Sequence, residues 1–184
     1  KTIIINGNVQ IAAGSTINVG AFNATHVLTI SGNLTVDGIF DMYKSSGQVC
    51  NLTFIGVGNT TVSGSGTTCR FNAITINKGV DASSIVEFSI PFTQIAPTAS
   101  ANYLVLTNGT CKITGATQIT PYYGSQTICS ATSRLWINNA SAKVACVGAG
   151  VATSPGTPTV YGILQVSAGT FEYGSGNDNI VLTA

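Results

Sequence analysis

The chain has 184 residues, of which 44% are hydrophobic and only 7% are charged, and its formal net charge at pH 7 is +1. This low charge leaves Thr, Ser, Asn and Gly to form most of the polar surface. No basic run predicts a nucleic-acid partner, and no apolar stretch of about 18 residues predicts insertion into a membrane. We expect one domain, residues 1–184, as a segment of a longer or assembled protein.

A short triplet of aliphatic and β-branched residues recurs along the chain. Its copies are Ile3–Ile5, Leu28–Ile30, Leu52–Phe54, Ile74–Ile76, Leu104–Leu106, Leu135–Ile137 and Leu164–Val166, with a last candidate at Ile180–Leu182. A strand repeated at intervals of roughly 20 to 50 residues is typical of a solenoid, in which each turn buries its apolar face against its neighbours. We therefore expect the triplets to stack in one column.

A second strand follows each triplet after a Gly or Asn corner. Leu28, Ile30, Leu34 and Val36 share one parity around Gly32, and this period of two indicates strands with one buried face. The pattern predicts an all-β fold, a right-handed parallel β-helix of about seven to eight turns, because parallel crossovers are almost always right-handed. A β-sandwich is the main alternative, since it also contains many short strands.

Five cysteines and few charges favour an oxidising, exported setting. Cys50 and Cys69 lie just before successive triplets, and Cys111 and Cys129 bracket a long loop. We therefore consider the disulfides Cys50–Cys69 and Cys111–Cys129, which leave Cys146 as the odd cysteine. The alternative is that several cysteines are small apolar residues of the core. Because there is no CxxC pair or His–Cys cluster, we expect no metal site.

The ionisable residues do not form a recognisable catalytic set. Cleavage of a polysaccharide requires carboxylates that face each other across the scissile bond. Asp37 and Asp41 are close in sequence but lie on either side of a corner at Gly38, and His26 is the single histidine. We therefore expect no catalytic residue, no cofactor and no enzyme activity, with a polysaccharide lyase or hydrolase as the least favoured alternative.

Three aromatic residues suggest a different function. Tyr122 and Tyr123 fall in a predicted protruding loop, and Trp136 points outward if its neighbours in the triplet point inward. Exposed Tyr and Trp rings combine an apolar plate with a polar group, which suits sugar binding. These residues predict a carbohydrate-binding module as the alternative function, unless they pack the loop onto the solenoid.

The Asn-x-Ser/Thr pattern provides candidate modification sites. It occurs at Asn23, Asn33, Asn51, Asn59, Asn108 and Asn139. In an exported protein this pattern accepts N-linked sugars, provided that the asparagine is on the surface. Glycosylation is therefore a hypothesis for these six positions.

Several segments resemble a known group of bacterial surface proteins. The segments are Leu34–Phe40, Phe71–Gly79, Arg134–Asn139, Val160–Val166 and Val166–Phe171. They are similar to the repetitive parallel β-helix proteins that gliding and related bacteria export by the type 9 secretion route. The resemblance covers essentially the whole chain, and it implies an extracellular or cell-surface location and an adhesin-like or filament role.

The sequence thus predicts a non-enzymatic structural or adhesive module outside the cell. Its expected partners are neighbouring repeats or copies of itself end to end, with surface glycans as a further candidate.

Overall fold

The computed structural model describes residues 1–97, 101–123, 126–146, 158–174 and 180–184, with the backbone alone at 180 and 181. Every regular element in these ranges is a β-strand. The strands are β1 (Thr2–Ile5), β2 (Val9–Ile11), β3 (Thr16–Asn18), β4 (Ala24–Ile30), β5 (Leu34–Val36), β6 (Ile39–Asp41), β7 (Tyr43–Ser45), β8 (Gln48–Phe54), β9 (Thr60–Ser63), β10 (Thr68–Phe71), β11 (Ile74–Asn77), β12 (Ile85–Phe88), β13 (Thr93–Gln94), β14 (Ala101–Asn102), β15 (Leu104–Ile113), β16 (Gln118–Tyr123), β17 (Thr127–Cys129), β18 (Ser133–Cys146), β19 (Thr159–Val160), β20 (Ile163–Tyr173) and β21 (Ile180–Thr183).

The strands stack in parallel as a β-solenoid of about six turns. We call its three sides walls A, B and C. Wall A contains β1, β4, β8, β11 and the first half of β15, and wall B contains β2, β5, β9, β12 and the second half of β15. Wall C contains β3, β6, β10 and β13. The parallel pairing confirms the predicted solenoid, because the strands of a sandwich would pair in antiparallel.

The core of wall A is a column of aliphatic side chains. Leu28, Leu52, Ile74 and Leu104 occupy equivalent positions on successive strands. None of them is more than 7% exposed. Burying such a side chain is worth about 1.5–3 kcal/mol, so the repeated triplet stabilises the stack directly. The predicted stacking is confirmed for these copies.

Phenylalanine rings fill the space between the walls. Phe40, Phe71 and Phe92 follow one another, with ring centroids 5.6 and 5.3 Å apart. Phe88 lies 4.9 Å from Phe92 and 5.9 Å from Phe54, which extends the cluster across the interior. Such contacts add about 0.5–1.5 kcal/mol per pair beyond the area they bury.

The later triplets lie in a different column from the one predicted. Leu135–Ile137 pairs with Cys111–Ile113, and Leu164–Val166 pairs with Leu135–Ile137, so both belong to wall B. The cause is β15, which continues from wall A into wall B through Gly109, whose φ of 90° suits glycine. The next strand packed against wall A is β17, which lacks the triplet pattern.

Asparagine side chains join successive corners between walls A and B. The Asn8 Oδ1 atom accepts a hydrogen bond from the Asn33 N–H at 2.8 Å, and the Asn33 Oδ1 atom accepts one from the Thr61 N–H at 2.9 Å. Asn59 repeats the contact with the Ile85 N–H at 3.0 Å. Each bond satisfies a backbone amide at or just before the start of a wall B strand. The many Asn residues of the corners therefore connect one turn to the next.

The two ends of the solenoid differ. At the first turn, β1, β2 and β3 are all edge strands, and the side chains of Ile3 and Ile4 are 63% and 62% exposed. At the other end, β21 pairs with the second half of β20 in antiparallel. Ile180–Leu182 is thus a strand, but it is not the further parallel repeat that the sequence suggested. Among the described strands, none pairs with the outer edge of Ile163–Val166.

Candidate functional site

The two carboxylates considered for catalysis are held by different partners. Asp41 forms a bidentate ion pair with Arg70, with N···O distances of 2.7 and 2.6 Å. The hydrogen bonds to Asp41 raise the pKa of Arg70. The guanidinium also donates to the Tyr43 carbonyl oxygen at 2.6 Å. Asp37 instead accepts hydrogen bonds from the Ser65 backbone N–H and hydroxyl at 3.0 and 3.1 Å. The two acids therefore do not face a common point.

An open groove of about 720 Å³ runs along wall C beside the Asp41–Arg70 ion pair. The other residues that line it are Thr67, Thr68, Cys69, Pro91, Phe92, Thr93, Ala116 and Gln118. Asp41 is the single carboxylate in this lining, and it is already paired with Arg70. The lining therefore does not contain the two carboxylates of a hydrolytic pair. The groove has room for a ligand but not the arrangement of acids that glycoside cleavage requires.

Other features of the described residues bear on metals and membranes. His26 lies on β4 in register with Cys50. Within the described ranges, no three His, Cys, Asp or Glu side chains come together in a way that could hold a metal ion. These ranges also contain no helix with the length and apolar character needed to cross a membrane.

The three aromatic residues predicted to bind sugar are not brought together. The segment predicted as a protruding loop contains β16 and β17, and Tyr122 on β16 is fully buried, with 0% exposure. Tyr123 is half-buried and pairs with Ala101 of β14. Trp136 is half-buried on the outer face of wall B, as its alternation with Leu135 predicted. The prediction of an exposed Tyr122 is therefore wrong, because its segment pairs as a strand against β18.

All five cysteines are thiols, so neither predicted disulfide is present. Cys50 is half-buried on β8 of wall A, whereas Cys69 is buried on β10 of wall C, which places the first pair on different sides of the solenoid. Cys111 and Cys129 are buried on β15 and β17. Cys146 is buried as well. The alternative interpretation, that cysteines serve as small core residues, describes the four buried ones.

Burial changes the chemistry of these thiols. Desolvation raises the pKa of Cys69 to about 12 and the pKa values of Cys129 and Cys146 to about 11. Burial also raises the pKa of Tyr122 well above its ordinary value, and this hydroxyl has no hydrogen-bond partner among the residues that the structure describes. A thiol that stays protonated is a poor nucleophile, so these cysteines are suited to packing.

A cluster of polar and charged side chains on wall B surrounds Trp136. The Lys112 Nζ atom lies 4.7 Å and the Arg134 Cζ atom 5.0 Å from the centroid of the indole. The indole Nε1–H donates to the Ser167 hydroxyl at 3.0 Å, and the Gln165 amide donates to the same hydroxyl at 3.0 Å. We call Lys112, Arg134, Trp136, Gln165 and Ser167 the Trp136 surface.

The register of wall B explains why these side chains meet. Glu87, Lys112, Trp136 and Gln165 occupy equivalent outward positions on successive strands. Successive strands lie about 4.8 Å apart, which puts each outward side chain in contact with the next. Lys112 forms an ion pair with Glu87 at 3.3 Å. Arg134 precedes Trp136 by two residues, so it points to the same side of the sheet.

The six candidate glycosylation sites fall into two groups. Asn23, Asn33 and Asn59 are exposed. Asn51, Asn108 and Asn139 are half-buried and have side-chain partners. In Asn108 and Asn139 the side-chain nitrogen, which would carry the sugar, donates a hydrogen bond. The first group is therefore the more accessible to modification.

One polar residue of the core was missed by sequence reasoning. Lys78 stands at a corner beside Gly79, between β11 and β12, yet its side chain is fully buried. Its ammonium donates to the Ile55 carbonyl at 2.9 Å, the Thr60 hydroxyl at 2.9 Å and the Ser31 carbonyl at 3.4 Å. Desolvation lowers its pKa. Lys78 thus connects three successive corners from the inside.

No known protein family, curated protein or solved structure matches the chain. The resemblance to β-helix proteins of the type 9 secretion route therefore stays a prediction.

Proposed function

We propose that this protein is a non-enzymatic structural or adhesive module of an extracellular surface protein or filament, related to the type 9 secretion group that it resembles. Its partners are neighbouring repeats or copies of itself, joined end to end. The observation that carries this proposal is the first turn, in which β1, β2 and β3 each pair with one neighbouring strand, while none of the described strands pairs with their other edges.

The backbone of β1 is prepared for a further strand. The Val27 N–H donates to the Lys1 carbonyl oxygen, and the Ser31 N–H donates to the Ile5 carbonyl oxygen. The backbone N–H and C=O groups of the odd-numbered residues along β1 therefore face the solenoid. In a parallel ladder the intervening groups, those of Ile4 among them, point to the opposite side. An edge of this kind is a template for another strand, and natural proteins usually block it.

The side chains of the first turn support the same conclusion. Ile3 and Ile17 are exposed, although the residues in register with them, Leu28 and Phe40, are buried in the core. A further turn would remove their apolar surface from water, which stabilises an assembly by about 25 cal/mol for each Å² buried.

A non-catalytic role is supported by the separate commitments of Asp37 and Asp41 to Ser65 and Arg70. The low charge of the chain and its wealth of Thr, Ser and Asn suit an extended extracellular rod. The proposal includes a right-handed solenoid in one domain, because about 98% of parallel crossovers are right-handed. The seven to eight turns expected from the repeated triplets stay a prediction beside the about six turns of the described strands.

Sedimentation velocity at increasing protein concentration tests the proposal. We expect the 184-residue chain to associate, and Ile4→Pro to prevent association, because proline removes an N–H from the open edge. Ile4→Thr is the matched control: it keeps the N–H and copies Thr29, the residue in register on β4. Circular dichroism checks that both variants fold. A chain that stays monomeric, or an Ile4→Pro variant that associates like the unchanged protein, would contradict the proposal.

A further inference from the structure

We propose that the Trp136 surface is a binding site for acidic sugars, in which Arg134 and Lys112 hold the carboxylate and the sugar ring lies against the exposed part of the indole. This inference deepens the adhesive part of the proposed function and rests on it. It does not require that the solenoid associate end to end.

The charges of the surface favour an anion. Arg134 donates to the Thr110 hydroxyl at 3.1 Å and to the side-chain amide oxygen of Gln165 at 3.3 Å, both of which are neutral acceptors. Lys112 forms an ion pair with Glu87. Arg134 has no acid partner among the described residues. The cluster therefore carries a net positive charge. A guanidinium presents paired N–H groups, a geometry that matches a carboxylate.

The indole supplies the apolar part of the site. Trp136 is held from the side by Arg134 and from the preceding turn by Lys112, and its Nε1–H is fixed by Ser167. A ring held in this way loses little conformational freedom when a ligand binds. An acidic sugar has both an anionic group for the cations and an apolar ring face for the indole, whereas a neutral sugar has only the second.

The outer face of wall B provides polar groups around this centre. Gln165 and Ser167 lie on the next turn. The Gln165 side-chain oxygen can accept a further hydrogen bond from a sugar hydroxyl, and the Ser167 hydroxyl, whose oxygen already accepts from Trp136 and Gln165, can donate one. Because the strands repeat at about 4.8 Å, the same face continues above and below the site. A linear polysaccharide could therefore lie along the solenoid axis instead of entering a pocket.

Tryptophan fluorescence gives a direct test, because Trp136 is the single tryptophan of the chain. We expect an alginate hexasaccharide, which carries a carboxylate on each sugar, to change the emission in a saturable way, and neutral maltohexaose to leave it unchanged. Arg134→Gln should weaken alginate binding at least about tenfold, since it removes the cation that has no acid partner among the described residues. Lys44→Gln is the matched control, because it removes one positive charge from the exposed strand β7.

Two further measurements make the outcome decisive. Trp136→Ala, followed by calorimetry, should also lose affinity while thermal unfolding shows that the variant is folded. The Ile4→Pro variant should bind alginate normally, which separates this site from end-to-end association. An unchanged emission with alginate, or equal losses in Arg134→Gln and Lys44→Gln, would overturn the proposal. The first result would mean a self-contained surface cluster, and the second a nonspecific effect of net charge.

Discussion

Lys78 and Ile55 are joined inside the solenoid: the Lys78 ammonium, at 0% exposure, donates a 2.9 Å hydrogen bond to the Ile55 carbonyl oxygen of the preceding corner. The same ammonium reaches Thr60 and Ser31. Buried carbonyl groups cost free energy when they lack a donor, so this lysine satisfies corners that no strand ladder serves. A charged side chain thereby becomes part of the core.

Replacing this lysine with methionine should destabilise the protein. Lys78→Met keeps the length of the side chain but leaves the Ile55 carbonyl and the Thr60 hydroxyl without their donor, at a cost of about 1–3 kcal/mol for a buried polar group. Urea unfolding measures the change in free energy. Lys44→Met on the exposed β7 should stay within about 0.5 kcal/mol of the unchanged protein. A Lys78→Met variant as stable as the parent would show that the internal bonds only offset the desolvation of the ammonium.

The buried thiols make stability depend on alkaline pH. Cysteine has an ordinary pKa of 9.0, and burial raises it to about 12 in Cys69 and to about 11 in Cys129 and Cys146. Between these values the unfolded chain ionises while the folded thiols stay protonated, so the folded state binds more protons. The contribution of the buried thiols to the free energy of unfolding should therefore be fully present below pH 9 and decrease as the pH rises from about 9 to 11.

Lys78 has the opposite effect on the pH dependence of stability, but it is a single group. Its pKa is lowered, so the unfolded chain binds more protons and this one group adds stability as the pH rises towards 10.5. Several thiols outweigh one amine. Urea midpoints across this range measure the sum, and Cys69→Ala should make the decline shallower. A midpoint that stays constant or rises above pH 9 would contradict the burial of the thiols.

The thiol state can be counted directly. In the native protein we expect an alkylating reagent to modify the half-buried Cys50 first and the four buried cysteines slowly. After unfolding without reductant, all five should react, as intact mass would show. Fewer than five modified residues would reveal a disulfide and restore the pairing predicted from sequence.

The position of each asparagine should govern its modification. In a host that glycosylates exported proteins, we expect sugar at Asn23 and at the exposed corner residues Asn33 and Asn59. Asn108 and Asn139 should stay unmodified, because their side-chain nitrogens already donate hydrogen bonds. Glycopeptide mass spectrometry distinguishes the two groups. Full occupancy at Asn139 with none at Asn23 would be inconsistent with this placement.

The sequence predicted the first part of the solenoid well for a physical reason. Alternation of aliphatic and polar residues reports directly which face is buried, and Leu28, Leu52, Ile74 and Leu104 occupy the core as that pattern indicates. The outward direction of Trp136 followed from the same alternation. Local pattern was sufficient wherever one strand faces one environment along its whole length.

The remaining features depend on contacts between distant parts of the chain. Leu135–Ile137 lies in wall B because β15 passes the corner between walls A and B as one continuous strand. The local sequence at Asn108 and Gly109 does not predict this continuous strand. Tyr122 lies between proline and glycine residues typical of loops, yet pairing with β18 buries it. Lys78 is buried because a carbonyl 47 residues away, that of Ser31, accepts its hydrogen bond.

Cross-linking between copies tests most directly whether the turns of one molecule continue into those of another. Val9 on the first strand of wall B and Val166 on β20 belong to one register column, so Gln10 and Ser167, which follow them and are both exposed, occupy equivalent positions. Stacking head to tail in this register would bring the Cα atoms of Gln10 and Ser167 to about 4.8 Å, within the range for a disulfide. We predict that a mixture of Gln10→Cys and Ser167→Cys proteins forms mainly the mixed disulfide dimer on oxidation. Homodimers alone, or no dimer at a concentration where the unchanged protein associates, would contradict the account.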